Sequence, residues 1–304
     1  MIDLTVEIAG VKLKNPVMVA SGTYGYGREY ESFYDPALLG AIVVKGTTLH
    51  PKPGNKPPRI IETPAGMLNA IGLQNDGVED LCERHMPFLR EKKIPVIVNF
   101  SGNTVEEYCA VAQRLENEKG IVALEANISC PNVKRGGLVF GSDCDVAANL
   151  IKEIKKVTSL PLIVKLSPNV TDIVSIARAV EDAGADALSL INTLIGMSID
   201  VRARKPYLST YTGGLSGPAI KPVAIRMIWQ TAKAVSIPII GMGGIMTGHD
   251  AVEFFLAGAS AVSIGTASFV DPYAPVKVIQ ELGSYMKEHG FSSIKDLRVA
   301  LREP

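Results

Sequence analysis

Residues 121–132 of the chain read IVALEANISCPN. The apolar run at the start of this stretch predicts a short buried strand. The strand ends in an amide side chain, Asn127, and a thiol follows at Cys130, next to a proline. Many enzymes present a catalytic group where a strand leads into a loop. The alternative is a buried structural cysteine beside a turn.

The same order of strand, polar end and helix repeats along the whole chain. Apolar strands are predicted at residues 17–20, 41–44, 95–98, 121–126, 162–164, 187–191, 238–240 and 261–264. Helices are predicted at residues 78–92, 105–118, 145–157, 172–183, 218–235 and 248–257, and from 275 onward. Nearly continuous apolar strands that alternate with helices are typical of a parallel sheet covered on its outer face. Eight such units predict an α/β fold, a (β/α)8 TIM barrel that forms one domain over residues 1–304. A doubly wound open sheet is the alternative.

Three further segments lie outside this repeat. Residues 3–14 alternate weakly around Ala9-Gly10 and predict an N-terminal hairpin that plugs one end of the barrel. Residues 47–77 and 194–215 are too long for simple loops. We expect them to be insertions at the C-terminal face of the barrel, the first with a short hairpin and a binding loop.

Composition excludes several classes of protein. Lys and Arg number 31 and Asp and Glu number 31, so no net charge favours nucleic acid or a membrane surface. The sequence has no apolar run of transmembrane length and no signal peptide, which predicts a soluble cytoplasmic protein. The cysteines at positions 82, 109, 130 and 144 form no C-x-x-C pair, so we expect no metal site in this chain.

The strand ends predict a binding site, because the active sites of such barrels lie at the carboxyl ends of the strands. These ends carry Ser21, Lys45, Asn99, Asn127, Lys165, Asn192, Thr193, Gly243, Gly244, Gly265 and Thr266. The two lysines are the most informative, since a buried ammonium is costly without an anionic partner.

The glycine turns after the last two strands predict a phosphate site. Glycines there let backbone N–H groups approach a phosphate, although an ordinary tight turn is the alternative. A phosphate cradle, several amides and two cations together fit flavin mononucleotide (FMN). A lysine beside the flavin ring would stabilise the negative charge of the reduced ring, and either Lys45 or Lys165 could take that place.

Several motifs resemble class 1 dihydroorotate dehydrogenases over essentially the whole chain. They lie at residues 15–23, 44–47, 67–75, 127–132, 164–169 and 213–217 and at the two glycine turns. The resemblance implies an FMN-dependent oxidoreductase that oxidises dihydroorotate to orotate in pyrimidine biosynthesis. It also implies that Cys130 is the general base and that residues 129–140 close over the substrate.

The resemblance also assigns binding residues by position. It implies orotate contacts at Lys45, Asn69, Ala70, Ile71, Gly72, Leu73, Asn127, Asn132, Asn192 and Thr193. It implies FMN contacts at Ser21, Lys45, Gly46, Asn99, Asn127, Lys165, Ile191, Gly217, Gly243, Gly244, Gly265 and Thr266.

Residues 132–141 and 250–259 resemble the branch of the family that delivers electrons to NAD⁺. That branch implies a homodimer that joins two partner subunits, which carry FAD and a [2Fe-2S] cluster, into a heterotetramer. The chain has no G-x-G-x-x-G turn and no cysteine spacing for a cluster, so a partner would have to supply both. The alternative within the family is the homodimer that reduces fumarate.

Three other functions remain open at this point. A flavin barrel that oxidises dihydrouracil would have less use for Lys45, because its substrate has no carboxylate. A non-redox isomerase or aldolase on the same fold would keep the phosphate site but would need no flavin. A non-catalytic binding subunit would leave Cys130 without a role.

Overall fold

The computed structural model describes residues 2–129 and 140–303. Eight parallel strands form a closed barrel. In chain order they are β3 (Val17–Val19), β4 (Ala41–Thr47), β7 (Val96–Phe100), β8 (Ile121–Asn127), β9 (Leu162–Lys165), β10 (Ala187–Leu190), β15 (Ile239–Met242) and β16 (Ala261–Ile264). The barrel closes where β16 pairs with β3. The predicted (β/α)8 TIM barrel is confirmed.

Helices surround the barrel. They are α1 (Gly77–Asp80), α2 (Met86–Glu91), α3 (Val105–Leu115), α4 (Cys144–Lys155), α5 (Ile173–Asp182), α6 (Lys221–Ala232), α7 (Gly248–Leu256), α8 (Ala267–Val270), α9 (Ala274–His289) and α10 (Ile294–Arg298). Several begin at a side chain that accepts hydrogen bonds from backbone N–H groups of the first turn. Thr104, Asp143, Asp172 and Thr247 cap α3, α4, α5 and α7 in this way.

The apolar residues form two separate clusters because each barrel strand is buried on both faces. The outward residues, such as Val44 and Leu124, pack against the helices in the larger cluster. The inward residues near the amino-terminal ends of the strands pack with Ile8 and Leu13. These two come from the hairpin of β1 (Val6–Ile8) and β2 (Val11–Leu13). The hairpin therefore closes the amino-terminal end of the barrel, as predicted.

The two long insertions meet in one antiparallel sheet. The first supplies β5 (Ile60–Thr63) and β6 (Gly66–Asn69), and the second supplies β11 (Leu194–Met197) and β14 (Thr212–Ser216). Their order is β11-β14-β6-β5, so the central pair, β14 and β6, joins the insertions. A two-residue pair, β12 (Ile199–Asp200) and β13 (Lys205–Pro206), extends the second insertion.

Glycines allow the close approach at the end of this central pair. A Cβ at Gly66 would lie 2.0 Å from the carbonyl oxygen of Ser216. A Cβ at Gly217 would lie 2.6 Å from the Cα of Gly66, and the φ of Gly217 is +99°. Both contacts involve backbone atoms, so no other residue fits here without moving the sheet.

The helix predicted at residues 78–92 is divided. A π-helical stretch, Leu81–His85, separates α1 from α2. The short helices α8 and α10 have no counterpart in the sequence prediction. Both are too short to show the periodicity on which a helix prediction depends.

Candidate active site

The interior face of the barrel changes from apolar to polar toward the carboxyl ends of the strands. Side chains alternate along a strand, so residues two positions apart share a face. Ile97, Ala123 and Ile163 belong to the apolar interior layer. Two positions beyond this layer, the same face of six of the eight strands presents Lys45, Asn99, Glu125, Lys165, Ser189 and Ser263. The hairpin closes the apolar end, so the polar end is the one open to a ligand.

The two predicted lysines lie in this polar layer. Lys165 is only 6% exposed, and Lys45 is half-buried. Within residues 2–129 and 140–303, neither ammonium group has a carboxylate oxygen within 4.0 Å or a hydrogen-bond acceptor. The register of β4 shifts against β7 between Val44 and Thr47, which is a bulge in the stretch that contains Lys45. Because a buried, unpaired ammonium is costly, the site is suited to an anionic or electron-rich ligand.

Asn99 takes part in a hydrogen-bonded group that the sequence analysis did not predict. Its amide Nδ2 donates to Oε2 of Glu125 at 2.5 Å, and Ser189 Oγ donates to Oε1 of Glu125 at 2.7 Å. Glu125 is 1% exposed, and Asn99 Oδ1 is buried without a partner among the residues described. The available signal was a charged residue inside an otherwise apolar strand.

Asn127 and Asn192 meet above this layer. Asn192 Nδ2 lies 3.4 Å from Asn127 Oδ1, and both amides also contact the hydroxyl of Ser129. Tyr108, which is 1% exposed, donates its hydroxyl to the carbonyl oxygen of Asn127 at 2.7 Å. The end of β8 is therefore held from both sides. Thr193 follows Asn192 and packs against Gly214. A Cβ added to Gly214 would lie 2.1 Å from Thr193 Oγ1.

The predicted substrate loop is half-buried and begins at the last residue of β6. It consists of Asn69, Ala70, Ile71, Gly72 and Leu73. Asn69 Nδ2 donates to the carbonyl oxygen of Gly214 at 3.2 Å. Leu73 has a φ of +55°, which is strained for a branched side chain. A Cβ at Gly46 would lie 3.7 Å from Leu73 Cδ2 and 2.9 Å from Asn99 Oδ1. The loop thus reaches the layer that contains Asn99.

The predicted glycine turns form a second group of site residues. A Cβ at Gly244, whose φ is +86°, would lie 2.9 Å from the carbonyl oxygen of Gly217 and 3.0 Å from Lys221 N. A Cβ at Gly243 would lie 3.3 Å from Ile191 Cγ1. These contacts bring Gly217, Ile191 and the turn after β15 together.

The turn after β16 is linked to the insertion sheet and to the end of β3. Thr266 Oγ1 donates to Ser216 Oγ at 2.8 Å. At Gly265 the nearest atom to an added Cβ is Ala20 Cβ at 3.8 Å, and Ala20 precedes the buried residue Ser21. All described residues predicted for the site are buried or half-buried, and they surround one end of the barrel.

Cys130 and Asn132 lie outside the described residues. The other cysteines, Cys82, Cys109 and Cys144, are free thiols. Burial raises the pKa of Cys82 to about 11 and also raises those of Cys109 and Cys144. These three thiols are therefore protonated at neutral pH and poorly nucleophilic.

Residues 3–286 match the family described as dihydroorotate dehydrogenase. The chain belongs to the dihydroorotate dehydrogenase family. This confirms the predicted family and its oxidoreductase activity, the oxidation of dihydroorotate. The family is FMN-dependent.

Curated relatives are similar over almost their full length. The dihydroorotate dehydrogenase B (NAD⁺) catalytic subunit of Desulforamulus reducens is 60% identical over 296 residues, which cover 97% of each chain. The proteins of the same name from Citrifermentans bemidjiense and Geobacter sulfurreducens are each 57% identical over 299 residues, or 98% of each chain.

The chemistry of the site fits the family's cofactor. Asn99 Oδ1 is a buried acceptor without a donor, and the hydroxyl of Ser263 is a second buried group without a partner among the described residues. Lys165 provides a cation without a partner among the described residues, and a Cβ at Gly265 would meet no described atom closer than Ala20 Cβ at 3.8 Å. A flavin ring offers an N–H donor and oxygen acceptors, and its phosphate is an anion.

Residues 2–129 and 140–303 contain neither a membrane-spanning helix nor a cluster of metal ligands. None of the helices there combines the length and apolar character needed to span a bilayer. No three His, Cys, Asp or Glu side chains come together in an arrangement that could bind a metal ion.

Proposed function

We propose that this chain is the FMN-binding catalytic subunit of an NAD⁺-linked dihydroorotate dehydrogenase that works in the cytoplasm in pyrimidine biosynthesis. The observation that carries the proposal is that the polar end of the barrel in a chain of this family holds the buried Lys165 and the acceptor Asn99 Oδ1, both without a partner among the described residues. FMN, when bound, supplies the acceptor for the hydride of the substrate. The remaining steps depend on the chain's own residues.

The residues proposed to bind FMN form two groups. The first group lines the polar end of the barrel and would contact the ring and its side chain. It consists of Ser21, Lys45, Gly46, Asn99, Asn127, Lys165 and Ile191. The second group would bind the phosphate, because its backbone N–H groups can approach the phosphate closely. It consists of Gly217, Gly243, Gly244, Gly265 and Thr266. The uncrowded backbone at Gly265, where the nearest described atom to an added Cβ is Ala20 Cβ at 3.8 Å, supports this placement.

The residues proposed to bind the substrate lie above the first group. Lys45 would pair with the carboxylate of dihydroorotate, and the amides of Asn69, Asn127, Asn132 and Asn192 would bind the polar edge of its ring. Ala70, Ile71, Gly72, Leu73 and Thr193 would complete the wall of the pocket. The contacts between Asn127, Asn192 and Ser129 support this arrangement, because they bring amides from two strands to one point.

The reaction removes a proton from C5 of dihydroorotate and a hydride from C6, which leaves the C5=C6 double bond of orotate. Cys130 is proposed to accept the proton as a thiolate, in the role of a general base. Closure of residues 129–140 would exclude water from the pocket. Tyr108 supports the start of this segment through the carbonyl oxygen of Asn127.

The purified protein tests this function directly. We expect a visible flavin spectrum that is bleached by dihydroorotate under anaerobic conditions. Dihydrouracil should bleach it far more slowly, because it lacks the carboxylate that Lys45 would bind. A protein that binds no flavin, or that dihydrouracil reduces equally fast, would contradict the proposal.

A partner subunit that carries FAD and a [2Fe-2S] cluster is proposed to pass the electrons to NAD⁺, within a heterotetramer built on a homodimer. The names of the similar proteins, which are catalytic subunits of an NAD⁺-linked enzyme, support this proposal. The chain itself has no G-x-G-x-x-G dinucleotide turn.

The isolated chain is therefore expected to form almost no NADH from dihydroorotate, and the partner subunit should restore NADH formation. The measurement is absorbance of NADH at fixed dihydroorotate, first with the barrel alone and then with partner added. Flavin bleaching in the same sample serves as the control for an active barrel. Rapid turnover of the barrel alone with fumarate, unaffected by the partner, would assign it to the fumarate-linked branch instead.

Gly265→Ala is expected to weaken FMN binding about 10- to 100-fold, because the methyl group would occupy space proposed for the phosphate. The nearest atom to the new Cβ is 3.8 Å away, so the fold itself accepts the methyl group. The dissociation constant of FMN for the flavin-free chain, followed by flavin fluorescence, measures the effect.

Gly283→Ala is the matched control, because a Cβ at Gly283 in α9 meets nothing within 4 Å and is likewise accepted by the fold. It should leave FMN binding unchanged and increase the free energy of unfolding by about 0.5–1 kcal/mol. Unchanged FMN affinity in the Gly265→Ala variant would argue against a phosphate at this turn.

A further inference from the structure

Glu125 lies inside the barrel in a position that controls the neighbouring amide. Its two oxygens accept one donor each, Asn99 Nδ2 at 2.5 Å and Ser189 Oγ at 2.7 Å. Glu125 and Ser189 are 1% and 0% exposed, and Asn99 is 1% exposed. Both carboxylate oxygens of Glu125 therefore act as acceptors in this arrangement. The amide of Asn99 must therefore turn its NH₂ group toward Glu125.

This orientation determines what Asn99 presents to the site. With Nδ2 held by Glu125, Oδ1 faces the other way, where it has no partner among the residues described. It lies 2.9 Å from the position of a Cβ on Gly46, so it points at a bulged strand end that has no side chain to fill the space. Asn99 is thus a fixed acceptor at the surface of the proposed FMN site.

Glu125 has no cationic partner among the residues that the structure describes. No ammonium or guanidinium nitrogen of the described residues lies within 4.0 Å of its carboxylate. Its register partner on β9 is Ile163, and Lys165 is aligned instead with Asn127, two positions further along β8. Within residues 2–129 and 140–303 the buried carboxylate is therefore not half of an ion pair, and its hydrogen-bond partners there are the two neutral donors.

We propose that Glu125 is a positioning residue that fixes the amide of Asn99 with Oδ1 toward the N–H group of the flavin's pyrimidine ring. The inference rests on the proposed FMN-binding function. If the amide of Asn99 were turned over, its NH₂ group would face the ring N–H group, and two donors would meet. The carboxylate of Glu125 excludes that orientation, because it would bring Asn99 Oδ1 against a carboxylate oxygen.

The side chain of Ser189 gives the proposal a specific consequence. A serine hydroxyl can donate or accept, whereas Glu125 accepts at both oxygens here. In Glu125→Gln, the new amide can give its oxygen to Asn99 and its NH₂ to Ser189, and the orientation of Asn99 is retained. If Ser189→Ala is added, nothing determines how the glutamine amide is oriented, and Asn99 loses its fixed direction.

The experiment measures the dissociation constant of FMN for the flavin-free full-length chain, together with its thermal unfolding. We expect Glu125→Leu to weaken FMN binding about 10- to 100-fold. Glu125→Gln should stay within about 3-fold of the parent chain, and Glu125→Gln combined with Ser189→Ala should approach Glu125→Leu. Asn99→Ala and Glu125→Leu should not be additive, because Glu125 acts through Asn99.

Asp186→Asn is the control for a carboxylate with a purely structural role. Asp186 precedes β10 at the amino-terminal end of the barrel, where it accepts from the backbone N–H of Leu162 at 2.7 Å and from Lys155 Nζ at 2.8 Å. We expect it to lower the unfolding temperature and leave FMN affinity unchanged.

The outcomes separate the two proposals. A parent chain that binds no FMN would overturn the proposed function and this inference with it. A parent chain that binds FMN, with Glu125→Leu variants that bind it equally well, would overturn the inference alone. Additive effects of Asn99→Ala and Glu125→Leu would also overturn it. If Glu125→Leu does not fold, the folded pair Glu125→Gln and Glu125→Gln/Ser189→Ala decides the question.

Discussion

Replacing Cys130 with alanine is expected to slow reduction of the bound flavin by dihydroorotate about 100- to 10,000-fold. The variant loses the proposed general base at C5, while the residues proposed to bind FMN are unchanged. The flavin should therefore remain bound and yellow but bleach slowly. Stopped-flow absorbance under anaerobic conditions measures the rate for a single turnover.

Cys144→Ala is the matched control. Cys144 is half-buried at the start of α4, and burial raises the pKa of its thiol, so it contributes no thiolate at neutral pH. Its removal should leave the rate of bleaching unchanged. A Cys130→Ala variant that bleaches near the parent rate would exclude the cysteine as base.

The parent chain should also show a pH dependence of flavin reduction. Only the thiolate form of Cys130 accepts a proton, so the rate should rise with pH as the thiol loses its proton. An unperturbed thiol has a pKa of about 8.5. The slope should be absent in Cys130→Ala.

Lys165→Ala is expected to slow flavin reduction about 100- to 1,000-fold, by removal of a preorganised cation from a site with little water. Lys165 is 6% exposed and has no carboxylate partner among the described residues, so its charge is available to a ligand. Without it, the negative charge that the ring gains is less stable. The midpoint potential of the bound flavin should fall, which a spectroelectrochemical titration measures.

Lys45→Ala should fail in a different way. Its proposed role is to pair with the substrate carboxylate, so orotate binding should weaken while the flavin potential changes little. Lys155→Ala is a control for loss of a lysine, since Lys155 is paired with Asp186 away from the site. Equal flavin potentials and equal orotate affinities in Lys165→Ala and Lys45→Ala would remove the distinction between the two lysines.

The barrel could be predicted from the sequence because its signals are local. Each strand is a short apolar run followed by a polar residue or a glycine, and each long helix shows apolar residues at helical spacing. The structure confirms all eight strands within a few residues, and it confirms the hairpin plug. The division of α1 from α2 by the π-helical stretch Leu81–His85 was not predictable, since apolar periodicity does not distinguish a π-turn from an α-turn.

The sequence by itself determined the order of strands and helices, the polar strand ends and the family. It also placed Lys45, Asn99, Asn127 and Lys165 at one end of the barrel, because parallel strands in a barrel direct their carboxyl ends to the same side.

Only the tertiary structure decided which of these groups touch. The pairing of β6 with β14 joins two insertions that are about 145 residues apart, as in the contact of Asn69 with Gly214. The position of Glu125 between Asn99 and Ser189 depends on side chains from strands β7, β8 and β10, although β9 separates β8 from β10 in the sheet. Such contacts arise only when the sheet curls and closes, so that inward side chains of strands that are not neighbours meet across the interior. No local pattern in the sequence records that closure.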